Sequence, residues 1–297
     1  MGRSKRSTTF DIVNLLVLSL IAALCVLPFA HIIAVSFSSS AKVSAGRVVF
    51  WPVGFTLASY RAVLARSEFW RAMQISVYRV GLGMAINMLL TVLAAYPLSK
   101  SHRRFRRRGF YVWLIFMTML FSGGLIPTYM LVHQLGMLDT IWALVLPAPF
   151  GVPVFNVLIL LNFFRTIPTE MEEAATMDGA GHWRTLFRIY VPMSLPAMAT
   201  LTLFVAVGHW NSWFDGMIFM QTPAKYPLQT FLRTVVTMPD VSYMTNLTIE
   251  KARELAEISD RTAKSAQIFI AALPILCMYP FLQRYFVKGI VLGSVKG

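Results

Sequence analysis

The stretch VGLGMAINMLLTVLAAYPL, Val80 to Leu98, carries no charged residue. A helix needs about 20 mostly apolar residues to cross the hydrocarbon core of a bilayer. With Arg79 at its head, this run is expected to be one such crossing. Working outward, five further stretches have the same character: Ile12 to Ser36, Phe110 to Val132, Ile141 to Phe164, Leu195 to Phe214 and Ala266 to Gln283. The first contains Pro28. The fourth carries Pro147, Pro149 and Pro153, so it is expected to be kinked or to begin late. Prolines and glycines are tolerated inside such helices where neighbours satisfy the freed backbone groups. The expected fold is therefore an all-α integral membrane protein with about six transmembrane helices.

Composition agrees. Of 297 residues, 57% are hydrophobic and only 13% charged, against about 25% charged in an ordinary soluble domain. Mean hydropathy is +0.62. The formal charge of +14 could suggest nucleic acid, but such a footprint needs a water-exposed basic face. Here many basic residues sit at the ends of apolar runs, so no nucleic-acid partner is expected. Cys25 and Cys277 lie inside apolar runs, which excludes a disulfide framework and reads as small apolar filler. The five histidines show no ligand spacing, and no metal site is expected.

Lysine and arginine placement sets orientation. With the N-terminus cytoplasmic, the inner segments hold Arg3, Lys5, Arg6, Lys100, Arg103, Arg104, Arg106, Arg107, Arg108, Arg165, Arg184, Arg188, Arg284, Lys288 and Lys296, which is 15 of 27. The block KSHRRFRRR, Lys100 to Arg108, resists translocation and decides the matter. Both termini then face the cytoplasm. The basic start and first apolar run could be a cleaved signal peptide, but the run exceeds the usual 7–15 residues of a signal core. A retained span is favoured.

Two outer segments are long. SYRAVLARSEFWRAM shows helical apolar spacing at Tyr60, Val63, Leu64, Phe69 and Trp70, so an amphipathic helix at the outer surface is expected. LTIEKARELAEISDRTAKSAQ has a helical pattern of mixed charge. It reads equally as a solvated helix or as a docking surface for an external partner.

The inner loop IPTEMEEAATMDGAGHWRTLFRIYVPMSLP, residues 167–196, has explicit local physics. Thr169 and Glu172 have capping-box spacing, so a helix should begin near Glu170. Glu170, Glu172 and Glu173 place negative charge at its positive end. Ala174 and Ala175 keep side-chain bulk low for close approach by another surface. Gly179 can adopt the left-handed conformation that ends such a helix. A second helical stretch should run from His182 to Tyr190, where Pro192 restricts continuation.

Glu173, Ala174, Ala175, Asp178, Gly179 and Ala180, followed by Ile189, Pro192 and Pro196, resemble the EAA loop of permease subunits in binding-protein-dependent ABC importers. The resemblance covers nearly the whole chain and is closest to the carbohydrate branch, typified by the smaller membrane subunit of the maltose importer. NFFRTIP (162–168), LGMLDT (135–140), GHWNSWFD (208–215), KYPLQTFLR (225–233) and the ending YFVKGIVLGSVKG carry it. YPLQT and GSVKG are similar to the subgroup importing complex oligosaccharides, including alginate- or pectin-type acids. One departure is Gln74, Ile75 and Ser76, where the family usually opens the second span with Asn-Ser.

The resemblance implies a type I ABC importer permease fold in the inner membrane. It divides the chain into a tail, first span and outer segment (1–72), a transmembrane core (73–284) and a cytoplasmic tail (285–297). It implies a partner ATPase dimer that binds ATP and magnesium, a second, different permease subunit, and an extracytoplasmic sugar-binding protein. No cofactor belongs to this chain, and no G-x-x-x-x-G-K-[ST] phosphate loop occurs. FSGGL at 121–125 sits inside an apolar run and reads as a glycine-rich kink or packing site. By resemblance, Glu170, Glu172, Glu173, Ala174, Ala175, Asp178, Gly179, Ala180, Gly181, Ile189 and Pro192 form the ATPase-coupling surface. The tail residues Gly293, Val295, Lys296 and Gly297 either reach between the ATPase subunits or fray. For the sugar, Trp210 and Trp213 offer stacking faces, while Asn211 and Asp215 offer hydrogen bonds. An interfacial aromatic belt and structural packing explain the same residues. The rival function is an ion-coupled secondary transporter, which usually needs an acidic residue at membrane depth. None lies in the expected span cores, with Asp215 only at an edge.

Overall fold

The computed structural model describes residues 8–121, 123–146, 152–237, 259 and 261–277. Among them the chain is helical apart from loops and one isolated bridge between Ser38 and Phe55. Residues within Met1–Phe69 and Leu232–Leu273 form one compact unit; those within Trp70–Phe231 and Pro274–Gly297 form another.

In the first unit, α1 (Thr8–Ser36) is apolar on every side and exposes Phe10, Leu15, Leu16 and Leu24. A helix that is hydrophobic all round and unburied by its own chain suits lipid. Short α2 (Ser40–Ser44) and α3 (Ala58–Leu64) follow. Ala34, Val35, Val43 and Val48 pack together. Phe37 stacks on Tyr60 at 4.7 Å, with Phe269 edge-on to both, and the Ser36 and Tyr60 hydroxyls bond at 2.7 Å.

The long helix α4 spans Ser67–Ser99. It corrects one expectation: 60–70 is not a single amphipathic helix. The chain breaks after Leu64, and Ser67 with Glu68 in the first turn starts the helix that becomes the span. The third apolar run is two helices, α5 (Arg108–Leu120) and α6 (Leu125–Gln134), with Gly124 at φ +85° between them. The fourth gives α7 (Trp142–Val145) and α8 (Val154–Arg165), the late start that its prolines suggest. The loop then forms α9 (Thr169–Met177) and α10 (His182–Met193).

Helix α10 runs through Pro192 instead of stopping before it. A proline inside a helix loses one ladder bond and presses on the preceding turn; here Leu186–Tyr190 widens into a π turn that absorbs the strain. The break comes at Ser194, where the axis turns by 82° into α11 (Leu195–Asn211). Pro196, in the first turn of α11, has no N–H with which to continue the ladder from α10. After α11 come α12 (Phe214–Phe219), a 3₁₀ turn (Pro223–Lys225), α13 (Leu228–Thr237) and a helix α14 over 261–277. The segment 238–258 and the tail, with Gly293, Val295, Lys296 and Gly297, lie outside the described residues.

The core of the second unit joins α4, α8, α10 and α11 through Ala95, Val157, Leu160, Phe164, Leu186 and Leu201, each at most 1% exposed. Between helices in lipid the hydrophobic gain is small, and close packing holds them. Among the described residues, two helices, Phe10–Ser36 and Ser67–Ser99, are long and apolar enough to cross a membrane, or up to four if each bent pair counts as one span. Cys25 and Cys277 are exposed free thiols.

Candidate functional site

Helix α9 starts at Thr169 with Pro168 at the cap position, and no side chain caps it. The expected capping box does not form because Glu172 turns inward. Its Oε1 accepts from Lys100 Nζ at 2.8 Å and pairs with Arg104 at 2.5 Å. Its Oε2 accepts from the Tyr190 hydroxyl at 2.8 Å. Lys100 in turn lies over the rings of Tyr96 (3.8 Å) and Tyr190 (4.1 Å). Tyr96 and Phe164 both meet Tyr190 edge-on. Glu172 and Lys100 side chains are each 8% exposed.

Burial alone would push the Glu172 carboxyl up. Hydrogen bonds from Lys100 and Tyr190, with the charges of Lys100 and Arg104, outweigh it and hold the group below its usual value. Burial pulls the Lys100 ammonium down, against the Glu172 bond. The two shifts pull opposite ways, pairing winning at Glu172 and burial at Lys100; the carboxylate, shared by two cations, stays ionised at neutral pH.

At its other end α9 closes with a Schellman motif. Gly179 is at φ +74°, its N–H bonds Thr176 O at 3.0 Å, and Ala180 N–H bonds Ala175 O at 2.9 Å. The outer face of the elbow exposes Glu170, Glu173, Ala174, Asp178, Gly181 and Pro192, with Ala175, Ala180 and Ile189 half-buried. So of the expected coupling residues only Glu172 is committed to the chain itself. The face also exposes Met177 (88%), Met171, Trp183 and Phe187, the last two rings stacked at 6.1 Å. These apolar residues fall outside the EAA resemblance.

Farther along the same unit, α4 and α11 border a cavity of about 390 Å³. Arg79, Gly83 and Asn87 recur every four residues on one face of α4. Both Arg79 terminal nitrogens donate to the Asp215 carboxylate, one of them also to Ser212 O at 3.2 Å. Asp215 further accepts from Ser212 Oγ at 2.8 Å and Gly216 N–H at 2.9 Å. His209 Nε2 and Asn87 Oδ1 are 2.8 Å apart. Gly83 makes that approach possible, since a Cβ there would collide with the His209 ring.

Asp215 lines this cavity; Trp210, Asn211 and Trp213 do not. Trp210 is 6% exposed, which leaves no free face for a sugar in this conformation, while Asn211 and Trp213 are exposed. Arg79, Asn87 and His209 escaped the sequence reading, although the four-residue spacing in the second span was visible. Ser76, at the family departure, is buried and accepts from Leu228 N–H at 2.7 Å.

Residues 10–291 match the family described as binding-protein-dependent transport system inner membrane component, and the chain belongs to that family. It is thus a multi-pass protein of the inner membrane. It is 40% identical to Protein LplC of Bacillus subtilis (strain 168), over 100% of this chain and 98% of that one. It is 38% identical to the polygalacturonan/rhamnogalacturonan transport system permease protein YtcP of the same organism, over 98% and 100%. Among solved structures it is similar to a bacterial ABC transporter involved in the import of the acidic polysaccharide alginate. That match has 32% identity and a TM-score of 0.85, covering 96% of this chain and 99% of that one. The type I ABC permease fold follows.

Proposed function

We propose that this chain is a permease subunit of an ATP-driven importer of oligosaccharides, of the acidic, uronate-bearing class. The observation that carries this is the full-length likeness to a polygalacturonan/rhamnogalacturonan permease and to an alginate importer. Both termini face the cytoplasm. Outside sits a sugar-binding protein, beside it a second, different permease subunit, and below it an ATPase dimer that binds ATP and magnesium.

Coupling runs through α9 and α10. Exposed Glu173 pairs with a basic residue of the ATPase, Ala174 and Ala175 let the backbones approach, and Met171, Met177, Trp183 and Phe187 supply apolar contact. Because Glu172 is tied to Lys100 and Arg104 just past the end of α4, force on the elbow reaches the second span directly. The tail from 289 to 297, with Gly293, Val295, Lys296 and Gly297, reaches between the ATPase subunits. ATP hydrolysis belongs to the partner. The secondary-transporter reading has no support in the relatives.

The test is uptake of oligogalacturonides by proteoliposomes holding the chain with its ATPase, sister permease and binding protein. Uptake that needs ATP and every partner is expected. Uptake by this chain alone, driven by an ion gradient, would overturn the reading.

A further inference from the structure

We propose that Arg79 is the residue that reads the carboxylate of an acidic sugar unit inside the cavity, with Asp215 as its resting counter-ion. This rests on the oligosaccharide reading above and names the residue that sets its charge preference. Arg79 is 2% exposed on a membrane-spanning helix, at the head of its uncharged run. An ionisable group there is costly and marks a pathway more often than a scaffold. Its guanidinium has five N–H donors in a planar fork. The two terminal nitrogens are engaged by Asp215 and Ser212 O, but Nε is buried without a hydrogen-bond partner among the described residues. One donor is thus unpaired on a residue that lines the cavity.

The cavity suits the ligand. About 390 Å³ lies within the range of small-ligand sites, which are mostly apolar with few placed polar groups. Arg79, Asn87, Asn156, His209, Ser212 and Asp215 supply those groups here. A carboxylate forms parallel bonds to a guanidinium fork, so a uronate can exchange with Asp215. A neutral sugar cannot neutralise the buried cation and leaves the internal pair closed. Asp215, 23% exposed, keeps its bonds from Ser212 Oγ and Gly216 N–H when Arg79 lets go.

The experiment is equilibrium dialysis of labelled trigalacturonate against the purified complex of both permeases and the ATPase, without binding protein. Arg79→Lys is expected to weaken binding about tenfold, because an ammonium lacks the fork. Asp215→Asn, which removes the competing carboxylate, is expected to tighten it severalfold. The methyl ester of the same trimer should not compete. A pair that serves only architecture predicts that both substitutions weaken binding or that neither acts, and either result overturns the proposal. Absence of wild-type binding also overturns it, whereas absence of uptake by the complete importer sinks the functional reading instead. If Arg79→Lys fails to assemble, the direction of the Asp215→Asn change decides.

Discussion

Lys100 Nζ and Glu172 Oε1 lie 2.8 Å apart across 72 residues of sequence, both side chains buried. The contact fastens the first turn of α9 to the residue that follows α4.

Replacing Glu172 by Gln should keep the shape but leave Lys100 buried without its counter-ion. Breaking a buried pair from one side costs about 3–5 kcal/mol; sharing with half-exposed Arg104 places this case at the lower end. Thermal unfolding of the detergent-purified protein should show the loss, and elbow proteolysis should speed up.

The same pair gives a pH dependence. The Glu172 carboxyl is held below its ordinary 4.5, so its stabilisation is complete above about that pH and fades as pH falls through the lower folded value. Wild-type stability should drop on acidification in that range. In Glu172→Gln that part of the slope should be absent, as melting curves between neutral and acid pH would reveal.

Gly179 sits at φ +74° with open space around it. Alanine there meets no neighbour but pays the left-handed backbone penalty of about 1–2 kcal/mol. Gly179→Ala is expected to loosen the Schellman turn and lower coupled uptake, read by hydrogen exchange at Ala180.

Ala175→Arg tests the elbow as a docking face. It should abolish ATP-driven uptake while leaving membrane insertion and yield unchanged, because Ala175 is not fully buried and α9 lies outside the apolar spans. Unchanged uptake would count against α9 as the coupling helix.

Asp139, at φ +59°, accepts from Lys225 Nζ, the Thr222 hydroxyl and the Gln221 and Thr222 N–H groups, and its carboxyl is held at about 2, chiefly by the Lys225 bond. Asp139→Ala should cost about 1–2 kcal/mol through lost bonds and backbone strain. Asp139→Asn should cost less, since asparagine tolerates this conformation. Chemical unfolding would rank the two.

Long uncharged runs announced the spans, because 19 consecutive residues without a charge, such as Val80 to Leu98, match the length a bilayer crossing needs. Gly179 announced its turn, since few residues adopt its φ. The EAA spacing announced the elbow and, with it, the family. These are local properties, carried by composition and short-range geometry. Tertiary structure decided the rest. Glu172 abandons its capping box because Lys100 and Arg104, distant in sequence, offer stronger charge pairing. Pro192 is passed because a π turn takes up its strain, and the bend moves to Ser194. Arg79 meets Asp215 only when α4 packs beside the start of α12. Each outcome is a choice between a local preference and a partner brought by folding, and no local pattern records which partner arrives.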